Sequence, residues 1–220
     1  TVAIKRYHGL EGEQALQSWL DEVRITSRID HSRIPTIYDA GLDKCDPYIV
    51  MRYLRGRPLS ELIKALQAGD AETHARYPFF KRAELIIQLL HILVASHRQG
   101  ILHRDIKPEN IMVGEFGEVY LLDWGIALNK GKSIQQPQLH SNSIVGTPSY
   151  MPPEMLTGAP QDVGSHTDIF LLGATLYHII TGKPLYSGEN LEEVIHKIRT
   201  CPKQEYHSLI PNELREICQK

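Results

Sequence analysis

Residues 81–99 are apolar almost all round, and the chain leaves them through Gly100 into HRDIKPEN, residues 103–110. A second apolar run, IMV, follows at once. A segment without a polar stripe reads as a helix buried inside a body, with Gly100 placed to end it. His103, Arg104, Asp105, Lys107 and Asn110 therefore crowd together where the chain surfaces from a core. Charge at such a place is costly unless it is paired or put to use. Any fold for this chain has to bring a large helical body up to that loop.

The pattern on either side is uneven. TVAIKRY is β-rich, and residues 11–30 then place Leu16, Trp19, Leu20 and Val23 at helical spacing. TIYDAGLDKCDPYIVMRYL reads as two strands about an Asp/Pro turn, and helices dominate from Leu59 onward. NIMVGEFGEVYLLD alternates about a glycine turn, which predicts a short hairpin. Asn190 with Glu193 predicts a capping box ahead of Leu191, Val194, Ile195 and Ile198. Residues 129–150 are polar and aperiodic, and a loop of that length inside a compact domain is usually functional or disordered. The chain thus predicts an α+β fold of two lobes, a small mixed one over 1–55 and a larger helical one over 56–220.

Composition removes several functions. The 220 residues carry a formal net charge of −2, which gives no electrostatic reason to expect nucleic acid as a partner. Eleven histidines and three cysteines (Cys45, Cys201, Cys218) show no metal-ligand spacing and no disulfide framework, so a reducing, cytoplasmic compartment is expected. DIFLLGATLYHIIT, 168–181, holds an Asp and a His and is shorter than the roughly 20 apolar residues that span a bilayer. It predicts a buried helix rather than a membrane segment.

Phosphoryl transfer uses residues of this kind, because it needs positioned charge more than covalent chemistry. Asp105 could orient an attacking hydroxyl and accept its proton, with Lys107 beside the transferred phosphate. Asn110 could hold Mg²⁺ through its amide oxygen, and Asp123, eighteen positions after Asp105, supplies a second hard-oxygen ligand. Lys5, on its strand, could grip phosphates, and Glu22 could pair with it from the first helix.

With VAIK, Glu22, HRDIKPEN, DWG, GTPSYMPPE and DIFLLGATLYHIITGKPLY in that order, the chain resembles the eukaryotic-type (Hanks-type) protein kinase family over nearly its whole length. Lys107, two positions after Asp105, is similar to the serine/threonine branch, and the overall style to bacterial members. The resemblance implies a bilobal kinase fold, ATP and Mg²⁺ as cofactors, and a protein substrate with a Ser or Thr acceptor. It implies Asp105 as catalytic base, Lys107 as phosphate contact, Asn110 and Asp123 as metal ligands, and a Lys5–Glu22 ion pair. Around adenine it implies Met51 as gatekeeper, the backbone of Arg52 and Leu54 as hydrogen-bonding groups, and Ala3 and Met112 above and below the ring. Thr147 is expected to touch Asp105 and Lys107, and Asp168 to anchor the catalytic loop. Arg104 is expected to meet a phosphorylated activation segment, for which Ser141 and Ser143 are better acceptors than Ser133 or Thr147.

Three features depart from the family pattern. The chain begins at the strand that follows the family's glycine-rich loop, so a fragment with weak ATP binding is expected. It also stops before the final helix whose arginine pairs with a glutamate such as Glu154. Trp124 stands where the metal-binding triplet usually has Phe. The readings that compete with a serine/threonine kinase are a pseudokinase-like binding module, a small-molecule phosphotransferase of the same fold, and an inactive structural fragment.

Overall fold

The β-rich run Val2–Arg6 makes β1, and its antiparallel register against β3 (Asp46–Arg52) decides which side chains share a sheet face. In the computed structural model β3 also pairs with β2 (Ile37–Asp43), giving the order β1-β3-β2. The structure describes residues 1–8, 13–44, 46–129, 145–157, 159 and 161–219. Residues directly opposite in an antiparallel ladder share a face. Lys5 opposite Ile49 and Ala3 opposite Met51 therefore look to the same side of the sheet. Helix α1 (Glu13–Arg28) packs against β2 and β3, burying Trp19 and Ile25, with Ile29 buried just past its end. The predicted stripe of Leu16, Trp19, Leu20 and Val23 is thus rotated, and a carboxylate, Glu22, lies on the buried face.

A second sheet begins at β4 (Gly56–Pro58), which pairs with β6 (Ile111–Gly114), and β6 with β7 (Val119–Leu121). The last pair is the predicted hairpin. A two-stranded ladder joins β5 (Ile101–Leu102) to β8 (Leu128–Asn129). Around these ladders stand α2 (Leu59–Gln67), α3 (Ala71–Arg76), α4 (Phe79–Arg98), α5 (Ser165–Thr181), α6 (Leu191–Thr200) and α7 (Asn212–Cys218).

Helix α4 ends as its sequence predicts, with Gly100 at φ 72° just beyond it. Its apolar surface is not buried all round, however. Leu85, Leu89, Ile92 and Leu93 are buried, whereas Ile87 and Val94 stay 51% and 48% exposed, because α5, β5 and β7 cover one side only. Helix α5 is the more enclosed of the two and buries Leu171, Leu172, Leu176, Ile179 and Ile180 together with Asp168 and Thr175.

At α6 the side chain of Asn190 accepts the N–H of Glu193 at 2.9 Å. The Glu193 carboxylate reaches the N–H of Glu189 instead of that of Asn190, so the predicted capping box is only half closed. Among the described residues no helix is long and apolar enough to cross a membrane. Cys201 and Cys218 are free thiols, and Cys45 lies outside the described residues.

Candidate active site

Two strand ladders bring the motifs together. The loop 103–110 runs from β5 to β6, and the loop 122–127 from β7 to β8. Because β5 pairs with β8 and β6 with β7, both loops span the same gap side by side. The N–H of Leu122 donates to the carbonyl of Asn110 at 2.8 Å and closes them together.

The first loop is clamped from below. The buried carboxylate of Asp168 accepts the N–H of His103 and the N–H of Arg104, each at 2.9 Å, and meets Nε2 of His97 at 2.7 Å. This clamp holds Arg104 at φ 66°, left-handed backbone that costs a non-glycine residue about 1–3 kcal/mol. His103 is fully buried between the carbonyl of Leu122 and the N–H of Asp105. Burial pushes its pKa below the usual histidine value despite the nearby Asp168, so it packs as a neutral ring. Nε of Arg104 donates to the carbonyl of Ile126 at 2.7 Å, tying the two loops again.

At the tip, Oδ1 of Asp105 accepts from the Thr147 hydroxyl at 2.9 Å, and Oδ2 lies 2.8 Å from Nζ of Lys107. Lys107 also donates to the Thr147 oxygen at 2.7 Å, closing a triangle. The amide of Asn110 donates to both the backbone and the side chain of Asp105, at 2.8 and 2.9 Å, which fixes the carboxylate's rotation.

The second half comes from other elements. Nζ of Lys5, on β1, lies 2.7 Å from Oε1 of Glu22 on α1 and 3.0 Å from Oδ1 of Asp123. Burial opposes the charge on Lys5, but the two carboxylates outweigh it and raise its pKa above the ordinary lysine value. Burial likewise works against an ionised Asp123, and Lys5 outweighs it, so that carboxyl sits below its usual range. Asp123 is itself left-handed, with φ 58°. A Cβ on Gly125 would fall 3.1 Å from Oε2 of Glu22 and 3.2 Å from Oδ1 of Asp123, so a glycine is what lets these groups converge. Trp124 is buried with its ring edge-on to His103, 4.5 Å between centres. Its indole N–H meets no acceptor among the described residues.

A cavity of about 330 Å³ opens between the sheet and these loops. Ala3, Lys5, Met51, Glu22, Asn110 and Asp123 are among its walls. Arg52, Leu54 and Met112 are not. Met112 stands on β6 opposite Tyr120 and Pro58, in the other sheet. The N–H of Arg52 is given to the carbonyl of Thr36 at 2.9 Å. Glu154 takes the Thr167 hydroxyl at 2.9 Å and lies 3.5 Å from His166. Ser133, Ser141 and Ser143, the expected activation-segment hydroxyls, lie outside the described residues.

A family model described as "Protein kinase domain" matches residues 1–220. The chain belongs to the protein kinase family. It is 32% identical to a serine/threonine-protein kinase PknD of Protochlamydia amoebophila, over 87% of this chain and 21% of that protein. It is 36% identical to a probable serine/threonine-protein kinase PknB of Corynebacterium glutamicum, over 77% of this chain and 25% of that protein. To a serine/threonine-protein kinase Pkn1 of Myxococcus xanthus it is 33% identical, over 91% of this chain and 28% of that protein. The kinase domain thus spans between about a fifth and just over a quarter of these relatives. The α+β architecture is that of the family.

One residue of this cluster belongs to none of the motifs: Tyr7, whose hydroxyl donates to Oε2 of Glu22 at 2.6 Å. Its only signal in the sequence is its place two residues after Lys5, on the same strand face.

Proposed function

We propose that this domain transfers the γ-phosphate of ATP, with Mg²⁺, to serine or threonine hydroxyls of a protein substrate. The observation that carries the reading is the Asp105–Lys107–Thr147 triangle, stiffened by Asn110, beside a cavity that holds Lys5 and Asp123. In this reading Asp105 orients the acceptor hydroxyl and takes its proton, and Lys107 stands ready for charge on the phosphate in flight. Lys5 binds the nucleotide's phosphates, Ala3 and Met112 lie above and below the adenine with Met51 as gatekeeper, and the backbone of Arg52 and Leu54 hydrogen-bonds it.

The donor set fits magnesium. Asp123 and Asn110 offer hard oxygen donors, and among the described residues no cluster of three His, Cys, Asp or Glu exists to make an all-protein cage. Mg²⁺ is commonly held this way, by one or two carboxylates with phosphates and water completing the shell. When bound it would neutralise phosphate charge. The names of the relatives favour Ser/Thr acceptors. The same reading divides the chain into lobes at residue 55, supported by a first sheet that ends at Arg52 and a second that starts at Gly56.

The test is Asp105→Asn in the intact protein, assayed with Mg-ATP and a protein acceptor whose modified residues are mapped by mass spectrometry. Turnover is expected to fall about 10²–10⁴-fold, the usual contribution of a positioned base, with nucleotide affinity unchanged. Wild-type turnover in that variant, or phosphate on a small molecule instead of Ser or Thr, sinks the proposal.

A further inference from the structure

Glu22 is a carboxylate on the buried face of α1, and a buried carboxylate needs partners for both oxygens. β1 and the residue just past its end supply them. Oε1 takes the Lys5 ammonium at 2.7 Å, and Oε2 takes the Tyr7 phenol at 2.6 Å. Lys5 and Tyr7 share a strand face, and Nζ of Lys5 also lies 4.9 Å from the centre of the Tyr7 ring. The N–H of Tyr7 donates to the carbonyl of Pro47 at 3.0 Å, so the β1–β3 ladder fixes the backbone beneath the phenol. Burial, followed by the bond to Glu22, raises the phenol's pKa far above its ordinary value, and it remains a donor throughout the working pH range. The third partner of the cluster is looser: the Asp123 side chain is 47% exposed and shares only Lys5.

We propose that Tyr7 is a positioning residue for phosphoryl transfer, holding the second oxygen of Glu22 so that α1 stays against β1 and Lys5 stays aimed into the cavity. This rests on the proposed kinase chemistry, in which Lys5 meets the nucleotide's phosphates. A single Lys5–Glu22 contact leaves the carboxylate free to swivel about one bond. Two contacts, from β1 and the residue just past its end, fix its plane, and swinging α1 away must break both at once. The strength of the second contact comes from its chemistry, since a hydrogen bond to an ionised group is shorter and stronger than one between neutral groups.

Tyr7→Phe tests this, because it keeps the ring over Lys5 and removes one oxygen. In the nucleotide-free protein, amide hydrogen exchange over 13–28 should speed up by about tenfold, with exchange in α4 and α5 unchanged. In the same variant kcat/KM for the nucleotide should fall by about tenfold. In a Glu22→Ala background, with no carboxylate left to receive the phenol, adding Tyr7→Phe should change kcat/KM by less than about twofold. A merely structural tyrosine would give the same penalty in both backgrounds, which overturns the proposal. Unchanged α1 exchange in an active Tyr7→Phe protein overturns it as well. A wild-type protein that transfers no phosphate overturns the kinase reading and the catalytic half of this proposal with it.

Discussion

The loop that carries Asp105 and Asn110 and the cluster of Lys5, Glu22 and Asp123 meet at one cavity, but they are held in different ways. The loop is fixed through its backbone: Asp168 grips two successive N–H groups, Asn110 returns to the Asp105 carbonyl, and strand ladders flank both ends. The cluster is fixed through side chains from β1, α1 and the 122–127 loop, linked by charge and by the Tyr7 phenol. A backbone clamp inside a close-packed body has one arrangement. Side-chain charges drawn from three elements can be parted by a small shift of any of them. The Asp105 half of this site is therefore a rigid part of the core, and the Lys5 half is an assembly that α1 can make or break.

That contrast predicts unequal responses to substitution. The largest stability loss should come from Asp168→Ala, which strands two buried N–H donors and the His97 ring; about 3–5 kcal/mol is the scale for breaking a buried charged network. Chemical denaturation measures it, and a loss below about 1 kcal/mol would show that the clamp does not hold the loop.

A smaller effect should appear with pH. His103 is buried neutral with a lowered pKa, and His178 and His31 shift the same way through burial. Below the ordinary histidine pKa of about 6.5 the unfolded chain takes up protons that the folded one refuses. Stability is therefore full above that pH and falls as pH drops through it, by at most about 1.4 kcal/mol per pH unit for each such group. Melting curves between pH 7.5 and 5 check the slope, which His103→Gln should flatten. A stability that rises on acidification would contradict the buried, neutral assignment.

The smallest stability change should come with Asp123→Asn. The side chain is half exposed, Lys5 keeps Glu22, and Asn tolerates the left-handed backbone at this position. About 1 kcal/mol or less is expected in denaturation. Metal-dependent turnover should nevertheless collapse, since the proposed ligand charge is gone. A large stability loss here would erase the difference between the two halves of the site.

Much of this protein could be read locally. β-Rich runs about an Asp/Pro turn marked β1, β2 and β3, alternation about a glycine turn marked the β6–β7 hairpin, an apolar run with a terminal glycine marked α4, and Asn190 marked the start of α6, because each signal lies within a few residues of what it specifies. The motifs HRDIKPEN, DWG and VAIK, with Glu22, likewise named Lys5, Glu22, Asn110 and Asp123, which the fold brings to one cavity. What the chain could not disclose was contact across elements. The rotation of α1 that buries Glu22 depends on which face β2 and β3 cover. The open stripe of Ile87 and Val94 depends on how few elements pack against α4. Met112 stands in the second sheet, opposite Pro58 and Tyr120, because β4 and β7 flank β6. The Tyr7–Glu22 bond joins positions fifteen residues apart, and the left-handed turns at Arg104 and Asp123 exist because distant groups over-determine them. Sequence spacing determined which chemical groups this protein owns and roughly where along the chain they surface. Tertiary packing decided which of them touch, since a contact between separate elements is set by the faces they bury rather than by the residues beside them.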